Sequence, residues 1–331
     1  MKAQEAKRNV EYNLTWILVG LTLSGLLGLA VMSLAAEDAW TKKADMPTPR
    51  WGLSASVVNG KIYTIGGTPD DSSAGLSTVE EYDPMTDKWA KKADMSTPRV
   101  FFSTSVVNGK IYTIGGTPDG RSSFSTVEEY DPATDTWTKK ADMPIPRWGL
   151  SASVVDGKIY AIGGGDTNVK DVISPVEVYD PVTDTWTRKA DMLTPRVLLS
   201  ASVVDGKIYA IGGTQGDRSS LSIVEEYNPA TDTWTKKSDM PTPKAGSSTG
   251  VVDGRIYAIG GTSDSDMVGL SGVEAYDPVS DTWTKKADMP TPRSFFSTSV
   301  VDRKIYAIGG IPDEGSGGLS TVEVYNPAAD N

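Results

Sequence analysis

Six Pro-Arg or Pro-Lys steps recur along this chain of 331 residues, at Arg50, Arg99, Arg147, Arg196, Lys244 and Arg293. Guanidinium groups brought together from several repeats would bind a carboxylate or another anion in bidentate fashion, more strongly between low-dielectric walls. An equally direct structural reading has each basic residue bonding local carbonyls and balancing a nearby acid. The residues that follow differ between copies: Trp51-Gly52-Leu53, Val100-Phe101-Phe102, Trp148-Gly149-Leu150, Val197-Leu198-Leu199, Ala245-Gly246-Ser247 and Ser294-Phe295-Phe296. Trp51, Phe102, Trp148 and Phe296 are therefore candidates to stack on a sugar ring or grip a peptide, with packing between repeats as the alternative. The chain has no His and no Cys. Disulfides, thiolate or imidazole zinc sites and every His-based acid-base mechanism are thereby excluded. Asp264-Ser265-Asp266 offers oxygen ligands to a hard cation but lacks a recognised calcium spacing, so no metal and no cofactor are expected.

These side chains are placed by a repeat. Ile-Gly-Gly occurs six times, with its first glycine at Gly66, Gly115, Gly163, Gly212, Gly260 and Gly309, alternately 49 and 48 residues apart. Each copy continues to a Tyr-Asp/Asn-Pro step, at Tyr82, Tyr130, Tyr179, Tyr227, Tyr276 and Tyr325. In five copies a Trp follows: Trp89, Trp137, Trp186, Trp234 and Trp283. A period near fifty with strand-like content predicts a propeller.

Within one copy, Ser54–Val58 and Lys61–Ile65 flank Asn59-Gly60, which suits a two-residue type I′ hairpin. A third strand over 77–82 and a fourth around 89–92 complete an antiparallel blade. Asp302-Arg303 replaces the usual Asn/Asp-Gly and should cost the sixth hairpin some stability. Paired basic residues on the fourth strands and Glu80, Glu128, Glu177, Glu225, Glu274 and Glu323 on the third predict a charged outer rim with cross-strand pairing. The sixth copy ends before its Trp strand, and Trp40, 49 residues before Trp89, supplies the missing one. The expected fold is all-β: a six-bladed propeller of four-stranded blades, closed by the N-terminal strand.

The double glycine, tyrosine and tryptophan pattern resembles the kelch family over residues 38–331. The resemblance implies a loop face, formed by the post-glycine loops and the blade crossings, on which kelch propellers bind partners. In a kelch adaptor of the oxidative-stress response, arginines at matching positions hold an acidic peptide. By resemblance the six basic residues would ring the channel mouth and take an acidic peptide, a protein or a glycan. Near-identical copies favour a non-enzymatic binding module, because catalysis needs different groups in different roles. The alternative is an exported sugar-acid epimerase or mutarotase, a class that the family includes. Copper radical chemistry of the wider group needs the Cys and His missing here.

Composition bounds the rest. A formal charge of −11 argues against nucleic acid. Lys2, Lys7 and Arg8 precede Leu14–Ala36, which carries no charge. Residues 1–36 read as a signal peptide with small residues at its end, or as a single-span membrane anchor. Either exports the propeller, residues 37–331, to a periplasmic, extracellular or membrane-anchored position. A monomeric propeller is expected.

Overall fold

The computed structural model describes residues 39–70, 74–120, 122–167, 171–215, 219–263 and 268–330. The expectations for residues 1–36 and for Asp264-Ser265-Asp266 lie outside these. Among the described residues no helix is long and apolar enough to cross a membrane.

The chain folds into six four-stranded antiparallel blades. Blade one runs from the axis outward as Ser54–Val58, Lys61–Ile65, Val79–Asp83 and Lys88–Lys91. Blades two to five open with Ser103–Val107, Ser151–Val155, Ser200–Val204 and Ser248–Val252. Blade six is Ser297–Val301, Lys304–Ile308 and Val322–Tyr325, completed by Trp40–Lys42 in the register Trp40↔Tyr325. The ring is thus closed by strands from both ends of the repeat array, as the spacing of Trp40 predicts.

The first hairpin has Asn59 at φ 52° and Gly60 at φ 74°, the double left-handed turn that its sequence requires. Arg303 is forced to φ 61° without being glycine, and its guanidinium pairs with Asp253 on the neighbouring hairpin. The third strand starts at Val79 rather than at Ser77. The backbone before it is committed elsewhere: Ser77 O accepts from Met95 N, and Thr78 O from Gly66 N and Arg50.

Six apolar clusters lie between neighbouring blades. One joins Val301, Tyr306 and Ile308 of blade six to Ile62 and Tyr82 of blade one. Beside each runs a polar clasp. Tyr82 donates to Asp87 at 2.6 Å, Asp87 accepts Ala44 N at 2.8 Å from the adjoining blade, and Trp89 Nε1 donates back to Ala44 O at 3.0 Å. The Trp ring lies 4.9 Å from the Tyr ring. Blade six repeats this across the chain ends through Tyr325, Asp330, Ala287 and Trp40. The Tyr and Trp sets are therefore packing residues.

Burial, and then the hydrogen bond to aspartate, raises the pKa of all six clasp tyrosines above the ordinary value. In the unfolded chain these phenols ionise near pH ~10, whereas in the fold they stay protonated. Their contribution to stability is complete below that pH and is lost above it. The urea midpoint should therefore fall between about pH 8 and about pH 11. An unchanged midpoint would show that the clasps contribute nothing.

Candidate functional site

Each blade is entered through its Pro-Arg or Pro-Lys step, and all six basic side chains are fully buried. This corrects the expectation that they ring an open mouth. Arg99 donates to Glu128 at 2.7 Å and to the carbonyls of Gly115 and Thr126. Arg50 pairs with Glu80, Arg147 with Glu177, Arg196 with Glu225 and Arg293 with Glu323, always inside one blade. The carbonyl-bonding alternative is the observed one. The partners are the very glutamates assigned above to a charged rim, a second correction. Of the fourth-strand lysines, Lys91 instead pairs with Asp94, and Lys92 with Glu81. Burial lowers the pKa of Arg50 and Arg196 to about 10, the nearby glutamates opposing the shift.

Blade five departs from this pattern. Lys244 Nζ reaches Gly272 O at 3.0 Å but stands 3.9 Å from Glu274, whose Oε2 is buried without a hydrogen-bond partner. Burial also lowers the Lys244 pKa. An arginine would span that distance, as in blades one, two, three and six; in blade four Arg196 comes within 3.2 Å of Glu225, whose Oε2 is also left without a hydrogen-bond partner. Lys244→Arg should add about 1–2 kcal/mol by satisfying the orphaned oxygen. A melting temperature equal to or below the parent's would contradict this.

The innermost strands meet through hydroxyls, such as Ser54 and Thr104 at 2.8 Å, whereas the blade entries bring mainly apolar groups to the axis. The second residue after each basic one adopts a left-handed conformation: Gly52, Phe101, Gly149, Leu198, Gly246 and Phe295 have φ between 52° and 62°. Each donates its N–H to the preceding member's carbonyl, from Phe101 N→Gly52 O round to Gly52 N→Phe295 O, at 2.7–3.0 Å. Six residues joined in this closed cycle constrict the channel. Glycine alternates with a large side chain for a reason. A Cβ at Gly149 would lie 2.5 Å from Val197 and one at Gly246 2.5 Å from Phe295, whereas at Gly52 the nearest atom would be 3.5 Å away and only the left-handed backbone asks for glycine.

Around the cycle lies an open cavity of about 90 Å³, lined by these six residues and by Leu53, Phe102, Leu150, Leu199, Ser247 and Phe296. It is small beside the ~300–1,000 Å³ usual for a small-molecule site. None of the described residues that line this cavity titrates. Two half-buried tryptophans pack on the phenylalanines that line it. Trp51 packs 5.3 Å from Phe101 and 5.8 Å from Phe295, and Trp148 lies 5.9 Å from Phe101. Of the four aromatic candidates, Phe102 and Phe296 line the cavity and are buried between blades, whereas Trp51 and Trp148 lie outside its lining, half-buried against the axial phenylalanines. Phe101 and Phe295 take the axial place instead. Both stand in the variable triplets, but only the ring geometry separates each from the Phe that follows it.

The KLHDC2/KLHL20/DRC7 Kelch-repeats domain matches residues 31–195 and 141–310, and the Kelch motif matches residues 292–330. The chain belongs to the kelch-repeat family. Kelch propellers in general mediate protein interactions. No curated protein matches this one. The kelch propeller is also similar to the solved structure of YjhT, with a TM-score of 0.75 and 18% identity over 86% of this chain and 99% of that one. At that identity the likeness shows the fold.

Proposed function

We propose that this kelch propeller is a non-enzymatic interaction module. It captures an apolar protein or peptide segment on its loop face, over the constricted channel mouth. The observation that carries this reading is the aromatic cluster of Trp51, Phe101, Trp148 and Phe295 beside a cavity with no titratable group among its described lining residues. Rigid aromatic anchors are the usual centre of a binding surface. The acidic-peptide and epimerase readings both required accessible arginines, and those are committed inside the blades. By sequence the six post-glycine loops hold ten acidic residues and three basic ones, so the preferred segment has apolar residues flanked by Lys or Arg.

Selection of displayed random peptides on the full chain should return such sequences. Trp51→Ala and Trp148→Ala should each weaken them by at least about tenfold, the effect of truncating an anchor. Binders indifferent to both changes would overturn the reading. Export belongs to the same proposal, supported by the uncharged run Leu14–Ala36 behind a basic start. Cell fractionation with N-terminal sequencing tests it, and an intact N-terminus in the cytoplasmic fraction would count against it.

A further inference from the structure

In these antiparallel blades the turns between first and second strands, and between third and fourth, lie on the face opposite the blade entries and the post-glycine loops. The third-to-fourth turns are built alike. The N–H at each tip donates to the side chain two residues earlier, Met85 to Asp83, Ala133 to Asp131, Val182 to Asp180, Ala230 to Asn228 and Val279 to Asp277, at 2.9–3.0 Å. This bond uses only the backbone of the tip residue, so the turn does not select its side chain. The tips nevertheless alternate. Met85, Val182 and Val279 on blades one, three and five are 94%, 87% and 93% exposed, and blades two, four and six carry alanine. Among the described residues five large apolar side chains are exposed, and these are the three most exposed of them. One apolar residue on a surface is ordinary. Three at the same place in alternate blades, spread round the axis of one face, mark a plane and suit a flat partner rather than a pocket.

The described chain begins on that same face. Trp40 pairs with Tyr325, the last residue of the third strand of blade six, and Ala39 O accepts from Asn326 N at 2.8 Å. By sequence only Glu37 and Asp38 separate Ala39 from the uncharged run Leu14–Ala36. Fully extended, the chain from Ala36 to Ala39 spans at most about 10 Å. An anchor made by that run would therefore keep this face, and not the loop face, near the lipid. Charges beside the tips are paired locally, Lys158 with Asp180 and Arg255 with Asp277. Attraction to anionic headgroups is thus not what would hold the face there, whereas apolar side chains that enter the boundary between headgroups and acyl chains would.

We propose that this face rests on a lipid bilayer, with Met85, Val182 and Val279 as its three points of contact. Each is a weak contact alone, and the covalent tether supplies the effective concentration at which three of them count. The propeller is thereby held flat, with its loop face turned outward to a partner. This rests on the anchor reading of residues 1–36, not on the cleaved signal peptide.

The test uses the full chain reconstituted in phosphatidylcholine vesicles. Because the chain has no Cys, Met85→Cys, Val182→Cys, Val279→Cys and, in the crossing from blade three to blade four on the loop face, Leu193→Cys each take one nitroxide spin label without background. At the three tips, collisions with oxygen, which concentrates in lipid, should exceed those with a water-soluble nickel chelate, and at Leu193→Cys the order should reverse. Replacing half of the lipid by phosphatidylglycerol should leave this pattern unchanged, and a pattern that appears only with the anionic lipid would overturn the apolar contact. Vesicle-bound chain whose tips are open to the chelate would overturn the proposal and leave the anchor standing. Tips closed to both reagents would overturn it in favour of a protein contact. A full chain that stays out of the vesicles would overturn anchor and contact together. The labelled variants should melt with the parent, since side chains so exposed pack against nothing, and this guards against an effect of unfolding.

Discussion

Deleting residues 39–46 will unfold the ring rather than trim it. Trp40–Lys42 is the outer strand of blade six, and it is the only piece of that blade contributed by the N-terminal side of the repeats. Its loss removes the Trp40 ring, 5.0 Å from Tyr325, and the Trp40 Nε1 bond to Ala287 O in blade five. It also removes Met46, which is buried in the cluster between blades six and one. Losing a buried Trp and a buried Met each costs about 2–5 kcal/mol. The exposed edge of Val322–Tyr325 adds unpaired backbone groups. The sum is comparable with the ~5–15 kcal/mol that holds a typical domain together. Thermal denaturation should therefore show no cooperative transition, or one lowered by well over ten degrees, about 2–4 °C for each kcal/mol. Trp40→Ala should fall between the deletion and the parent. A deletion variant that melts with the parent would mean that blade six stands on three strands.

That closure was readable because it depends on spacing alone. Trp40 precedes Trp89 by the same interval that separates the repeats, and the copy that lacks a Trp strand is the last one. The first hairpin strands of blade one were likewise legible to the residue, since Asn59-Gly60 fixes both the turn and the register. The clasp aspartates were legible in principle: Asp87, Asp135, Asp184, Asp232, Asp281 and Asp330 each stand five residues after a clasp tyrosine. A turn rich in Asp, Pro and Thr looks solvated, and only the adjoining blade's backbone reveals what its aspartate binds.

The arginines show where sequence reasoning gave out. A Pro-Arg step between strands looks like exposed loop, and a Glu on an outer strand looks like rim. Neither residue alone announces that the two meet. The signal was their one-to-one matching, because every repeat with a basic entry residue carries a glutamate 29 or 30 residues later. Charges that recur in such fixed pairs are more economically explained by a bond within the repeat than by convergence on one ligand. The axial cycle was illegible for a different reason. It joins residues from all six blades, so no single copy contains it, and its alternation of glycine with Phe or Leu has meaning only once the blades are neighbours.

Glu128→Ala will destabilise the propeller by about 3–5 kcal/mol, the usual cost of leaving a buried charge without its partner. Arg99 is fully buried, and its NH2 group donates to Glu128 at 2.7 Å. Its remaining bonds go to the carbonyls of Thr97, Gly115 and Thr126, which satisfy donors but do not neutralise the charge. Replacing both partners by apolar residues of similar size, Arg99→Met with Glu128→Leu, should recover much of the loss, since neither charge then needs to be desolvated. The urea midpoints of Arg99→Met, Glu128→Leu and the double variant give the coupling directly. The same set separates a structural role from a ligand-binding one. At a temperature where every variant is folded, peptides selected on the parent should bind the double variant with unchanged affinity. An equally stable double variant that lost them would return the basic residues to the binding site. Retained affinity would leave recognition with the aromatic mouth, where the side chains differ from blade to blade, while the charges that recur in every blade hold the blades themselves together.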